Sequence, residues 1–236
     1  MRVLIAASAV VSSAACSSSG DDVGHGMRHA SAPTSAHGPV TGGSSKVPTR
    51  TQLTDMLISE SDLPAGSLVS SQNTSPRGKV TADDAACQPL ANALLFTSTS
   101  AGSPAATVNQ VVIATGAGDG AISVRTALVA YRDPDAVLAI DGVQTAVKAC
   151  AAGFTAALNG TRTRFTVAPD TRAGGGQQST GVVLTDTVDG SRDSNDVWLV
   201  RRGDVVAYFV AEGINGGSVP LAAITVVTAP QVRKMS

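Results

Sequence analysis

"NDVWLVRRGDVVAYFVAEG" (residues 195–213) decides how the chain is read. Two apolar runs flank Arg202-Gly203-Asp204. A short glycine-bearing link between two such runs is the signature of a β-hairpin. In alternating strands Trp198 and Val200 face one way, and Leu199 and Arg201 the other. The period of two extends upstream through "TRTRFTVAP" (161–169) and "TGVVLTDTV" (180–188). An earlier pair of runs, "ATVNQVVIAT" (106–115) and "AISVRTALVAY" (121–131), brackets "GAGDG" (116–120). That pentapeptide lacks the spacing of a dinucleotide or Walker loop, and no helical pattern follows it, so it reads as a second hairpin turn.

Outside these strands the period changes. "TRTQLTDMLISESDLPAG" (49–66) opens with a threonine N-cap and places Leu53, Met56 and Leu57 on one helical face. "TADDAACQPLANALLFTS" (81–98) reads as a second helix capped by Thr81 or Asp83, with Pro89 pointing to a break inside it. "RDPDAVLAIDGVQTAVKACAAGFTAALNG" (132–160) is the longest helical stretch, with Asp133 as cap, Pro134 in the first turn, Gly153 as a stop and "NG" as a turn. "SVPLAAITVVTAPQVRKM" (218–235) starts with Ser218 and Pro220 and gives a final helix. The order is ααββαββββα, without βαβ alternation. That predicts an α+β domain, an antiparallel β-sheet with helices packed on one face.

Composition narrows the function. Charge is balanced, 17 basic residues against 18 acidic, so nothing draws the chain to nucleic acid. Aromatic content is 3%, so the core is aliphatic. All three histidines, His25, His29 and His37, fall in "SSSGDDVGHGMRHASAPTSAHGPVTGGSSKVPT" (17–49), a Ser/Gly/Pro-rich tract too poor in aliphatic residues to order itself. The part expected to fold therefore has no histidine, which removes Ser-His-Asp and Cys-His catalysis and histidine-bearing zinc sites. No cofactor or metal is expected.

The N-terminus carries a basic residue, the apolar run "VLIAASAVV" and then "SSAAC". This resembles a bacterial lipoprotein signal peptide over residues 1–15, with Cys16 as the lipidated, palmitate-bearing residue. Ala14 and Ala15 match the lipobox, while Ser13 stands where an apolar residue is usual. The competing reading is an ordinary secretory signal with a coincidental cysteine. Residues 16–48 then form a disordered linker and 49–236 a single domain. The apolar run is too short to span a bilayer. Cys87 and Cys150 remain. In an oxidising compartment such a pair is most simply a disulfide, stapling the second helix to the long one.

"QLTDMLISESDLPAG", "ACQPLAN", "VRTALVAYRDPDAVLAIDGVQTAVKACAAGFT" and "VWLVRRGDVVAYFVAEG" together resemble secreted actinobacterial lipoproteins. More loosely they are similar to the extracellular sensor domain of PknH-type mycobacterial kinases. The resemblance spans roughly residues 49–233. It implies an antiparallel sheet backed by helices, disulfides and a ligand cleft. The chain departs from it in having one candidate disulfide in the domain where the kinase sensor has two, and in lacking a kinase segment.

The favoured function is a non-enzymatic, sensor-like binding domain tethered to the outer face of the cell membrane through Cys16. Its ligand would be a small molecule, a lipid or an envelope glycan. Candidate ligand-binding groups are Trp198, Tyr208 and Arg201, although Trp198 and Phe209 better suit a core short of aromatics. One alternative is a structural or partner-binding surface protein. Another is a carboxylate-based cell-wall hydrolase using Asp186, Asp189, Asp193 or Asp196. "TDTVDGSRDSND" lacks the Asp-x-Asp-x-Asp-Gly pattern of a calcium loop and reads as a polar hairpin loop.

Overall fold

The computed structural model describes residues 46–72, 78–98, 100–115, 121–188, 191–214 and 219–236. The signal peptide, Cys16, the linker histidines, "GAGDG", Asp189 and Ser218 lie outside the described residues. The elements are α1 (Arg50–Asp55), β1 (Leu68–Gln72), β2 (Val80–Ala82), α2 (Gln88–Ala93), β3 (Ala106–Ala114), β4 (Ile122–Ala130), α3 (Asp135–Ala149), β5 (Phe154–Leu158), β6 (Thr161–Pro169), β7 (Gln178–Val188), β8 (Ser191–Arg202), β9 (Val205–Gly213) and α4 (Leu221–Lys234). Short 3-10 turns occupy Glu60–Asp62 and Ala85–Cys87. The nine strands form one antiparallel sheet in the order β1-β3-β4-β9-β8-β7-β6-β5-β2. The α+β class and the antiparallel sheet are as expected.

The β8–β9 hairpin forms as expected, and β3 and β4 pair antiparallel on either side of "GAGDG". Arg202 pairs with Val205, and Gly203 takes φ 56°, the left-handed conformation a two-residue loop with glycine first requires. β5 and β6 are joined by Asn159 and Gly160, with φ 50° and 90°. Two successive positive φ values are the demand that favours Asn-Gly in such loops.

The helices differ from expectation in placement: they cover both faces of the sheet. One core joins Leu90 and Ala93 of α2 and Ile140 and Val143 of α3 to Val129, Val197, Leu199, Tyr208 and Val210. The other joins Leu53 of α1 and Ile224 and Val227 of α4 to Val112, Leu128, Trp198, Val200 and Phe209. Strand alternation sends residues 197 and 199 to one core and 198 and 200 to the other.

Three strands were not anticipated. β1 ("LVSSQ") has only two aliphatic residues and sits at one edge, and β2 has three residues at the other edge. β5 ("FTAAL") reads as helix because of its alanines. Gly153 ends α3's run at φ 86°, and a Cβ there would lie 2.6 Å from the Phe165 carbonyl oxygen. The second helix is likewise shorter than expected. Thr81 lies in β2, Asp84 rather than Thr81 or Asp83 caps the 3-10 turn by accepting from the Ala86 N–H at 2.9 Å, and Pro89 falls in the first turn of α2. Pro134 takes the N-cap position of α3, without a side-chain cap from Asp133.

β1 and β2 are consecutive in sequence yet occupy opposite edges. Only residues 73–79 lie between them. A link of that length reaches at most about 29 Å, whereas a flat nine-stranded sheet is about 38 Å wide. The sheet is therefore curled, drawing its edges together.

Polar ties fix the covering elements. Gln231, fully buried on α4, donates to the Met56 carbonyl at 2.8 Å and accepts from the Ile58 N–H at 3.2 Å. Lys234 donates to the Leu57 carbonyl at 3.0 Å and to Asp62 at 2.8 Å. Lys234, with Ser59, holds the Asp62 carboxyl down at about 2. Arg172 donates through Nε and Nη2 to the two oxygens of Asp170, at 2.8 Å each, and through Nη2 to Asp196 at 2.7 Å. Its Nη1 donates to the Val219 carbonyl at 3.2 Å, just before α4. The Trp198 indole N–H donates to Asp170 at 2.7 Å. Burial pushes the Asp196 carboxyl up against the pull of Arg172. Burial also acts to raise Asp170, but the hydrogen bonds from Arg172 and Trp198 outweigh it and leave that carboxyl below its ordinary value.

Cys87 and Cys150 are bonded, with 5.8 Å between their Cα atoms. They join the start of α2 to the end of α3 across 63 residues. Replacing both by alanine should cost roughly 4 kcal/mol, read as a lower urea midpoint. An unchanged midpoint, or free thiols at both positions in oxidised protein, would contradict this. Arg172→Ala should cost about 3 kcal/mol by leaving two buried carboxylates without their cation. Chemical denaturation measures it directly.

Candidate functional site

The helices on the α2/α3 side do not reach the far ends of the central strands. There the exposed sheet surface and the chain after α2 enclose a groove of about 430 Å³. Its lining includes Leu94 and Leu95 from that chain, Arg125 of β4, Asp186 of β7, Asp193 of β8 and Glu212 of β9. Leu158 and Ile214 stand at its rim, 44% and 51% exposed. Strand parity explains the gathering. Residues 125, 186, 193 and 212 each share a face with the α2/α3 core residues of their own strands, Ala127, Leu184, Val197 and Val210.

The charges on this floor are unevenly satisfied. Arg125 donates to Glu212 at 2.9 Å and to the Leu94 carbonyl at 3.2 Å, and its guanidinium lies 5.7 Å from the Phe96 ring centre. Asp186 pairs directly opposite Asp193 across β7 and β8. Like charges in that relation repel. Asp186 Oδ1 is closed off from solvent and has no hydrogen-bond partner among the described residues. Burial first, and Asp193 second, push the Asp186 carboxyl above its ordinary value.

The acidic stretch predicted as a possible hydrolase site is therefore split. Asp186 and Asp193 meet in the groove, whereas Asp196 belongs to the opposite face, beside Trp198 and Arg172. Among the described residues no group of three His, Cys, Asp or Glu side chains could hold a metal ion.

The other sequence candidates do not converge. Trp198 is a core residue on the α1/α4 side. Tyr208 is fully buried on the α2/α3 side, where its hydroxyl lies 2.9 Å from that of Tyr131. Both are closed to a ligand. Arg201 braces a hairpin end, donating to Gln178, Gln177 and the Gly203 carbonyl. The groove residues Arg125, Glu212, Leu94 and Leu158 carried no motif. Their one sequence signal was a charged residue on the core-facing parity of an otherwise apolar strand.

Comparison with solved structures places the fold. The chain is similar to the extracellular domain of PknH from Mycobacterium tuberculosis, with a TM-score of 0.51 and 19% identity over 80% of this chain and 97% of that one. A weaker likeness, with a TM-score of 0.38 and 12% identity over 78% of this chain and 97% of the other, is to an uncharacterised protein of Mycobacterium smegmatis. No protein-family model matches the chain, and no curated protein does.

An Asp whose folded-state carboxyl is raised binds more protons folded than unfolded, so stability falls as pH rises from the unfolded value, about 3.9, through the folded one. Asp186→Asn should therefore raise the thermal midpoint at pH 7. The gain should shrink as pH falls towards 4. Melting curves across pH test this; a variant less stable than the parent at pH 7 would contradict it.

Proposed function

We propose that this protein is an extracytoplasmic lipoprotein whose single domain binds a ligand in the Asp186–Asp193 groove, without catalysis. The observation that carries the reading is the groove itself. It holds a carboxylate pair that repels itself beside aliphatic side chains left open to water, an arrangement that does not serve stability. Destabilising features of that kind concentrate at binding and catalytic sites.

Location draws on three supports. The fold is shared with a domain described as extracellular. A disulfide ties α2 to α3, as suits an oxidising compartment. "VLIAASAVVSSAAC" has the make-up of a lipoprotein leader, with Cys16 as the residue acylated. Among the described residues no helix is long and apolar enough to cross a membrane. In this reading the lipid at Cys16 is the anchor and residues 16–48 are its leash.

A second reading, a cell-wall hydrolase, has the Asp186–Asp193 pair in its favour, because paired carboxyls with one raised are the equipment of glycoside hydrolysis. Release of reducing sugar from wall polysaccharide, abolished in Asp186→Asn, would establish it in place of binding.

Cys16→Ala should release the protein from the membrane fraction into the medium; retention of the variant in the membrane would refute the anchor. Native mass spectrometry of protein taken from its own envelope should show a bound small molecule, lipid or glycan. Repeatedly empty protein would favour a purely structural surface role.

A further inference from the structure

The groove's lining divides into two chemically different halves. Leu94, Leu95, Leu158 and Ile214 supply aliphatic surface, and the last two are among the most exposed large apolar residues of those described. Scattered singly such residues need no explanation, but two at the rim of one cavity mark a surface suited to an apolar partner.

The other half selects the partner by charge. Arg125, the only cation among the described lining residues, is engaged by Glu212, the Leu94 carbonyl and the Phe96 ring. Asp186 and Asp193 face one another with no cation on them among the described residues. An anionic head group would add a third negative charge to this pair. A hydroxylated neutral head could donate to the exposed Asp193 carboxylate but would leave the repulsion in place. A protonated amine does both, since an ammonium carries a positive charge and three N–H donors.

We propose that the groove takes an amphiphile with a primary-amine head group. Its aliphatic part lies against Leu158 and Ile214, and its ammonium sits over Asp186 and Asp193. The inference rests on the binding reading above and adds the chemistry of the ligand.

The test is isothermal titration of the full chain at pH 7 and low salt with three twelve-carbon probes of different head group. These are dodecylammonium chloride, sodium dodecyl sulfate and dodecyl maltoside, each kept below its micelle concentration. Dodecylammonium should bind, and its affinity should fall about tenfold or more in Asp186→Asn and in Asp193→Asn. Asp55→Asn, at an exposed position of α1 on the opposite face of the sheet from the groove, should leave it unchanged. Near-ultraviolet circular dichroism confirms that each variant is folded, and Asp193→Asn keeps the test alive if Asp186→Asn misfolds. Tighter binding of the maltoside, or dodecylammonium binding that ignores both groove substitutions, would overturn the head-group inference and leave the groove reading standing. No binding by any probe would overturn the amphiphile inference, with the groove reading then judged on the co-purified ligand.

Discussion

Burial of β8 and β9 on both faces is the constraint from which the rest of the structure follows. Every residue from Val205 to Ala211 is buried, as is every residue from Val197 to Val200. Two adjacent strands of that kind cannot leave either face to water, because each face carries its own apolar row. The sheet therefore needs cover on both sides. α2 and α3 supply it on one, and α1 and α4 on the other. Flanking strands continue the hydrogen-bond ladder until it ends at two short edges, and the brief connection between those edges makes the sheet curl.

Once both faces must be covered, the covering pieces have to be held in place. α1 and α2 are only six residues each, too short to be stable alone. α1 is capped by a reciprocal Thr49–Gln52 pair, and the chain after it is pinned to α4 by Gln231 and Lys234. α2 is tied to α3 by the disulfide. The Asp170–Arg172–Asp196 network, with the Trp198 indole, sets the chain before α4 against β8. Buried charges are expensive unless each is paired, and here one guanidinium serves two carboxylates. The site arises where cover gives out. Beyond the reach of α2 and α3 the strands carry charged residues on the same parity that buries valine and leucine further down.

Much of the architecture was legible in the chain. The period of two and the Gly203 turn announced β8 and β9, and the Asp135–Ala149 and Leu221–Lys234 helices follow from their three-and-four spacing. The misses have physical causes. Edge strands β1 and β2 owe their state to pairing partners distant in sequence, which local pattern does not display. β5 is built from alanines that suit a helix better than a strand, and becomes a strand by pairing with β6. Placement of helices on one face or two depends on whether the central strands are apolar on both parities. "VVAYFV" contains that information, because both of its parities are apolar, whereas a hairpin signature specifies only the turn and its flanks. The site was less legible than the fold. Asp186 and Asp193 were singled out as acidic residues, while their partners came from β4, β9 and the chain after α2, which no spacing rule links to them.

Stability and function pull against each other in the groove. Arg125 pairs with Glu212 and makes no ion pair with Asp186 or Asp193, which stand opposed near the turn end of the most extensive strand pairing in the sheet. The most direct measurement of this tension is a carbon-detected nuclear magnetic resonance titration of the Asp186 carboxyl in ligand-free protein. A midpoint above the ordinary Asp value of about 3.9 is expected, moving downward when Asp193 is replaced by asparagine. A midpoint at or below the ordinary value, unmoved by that replacement, would contradict the idea that the groove holds its carboxylates against their own preference.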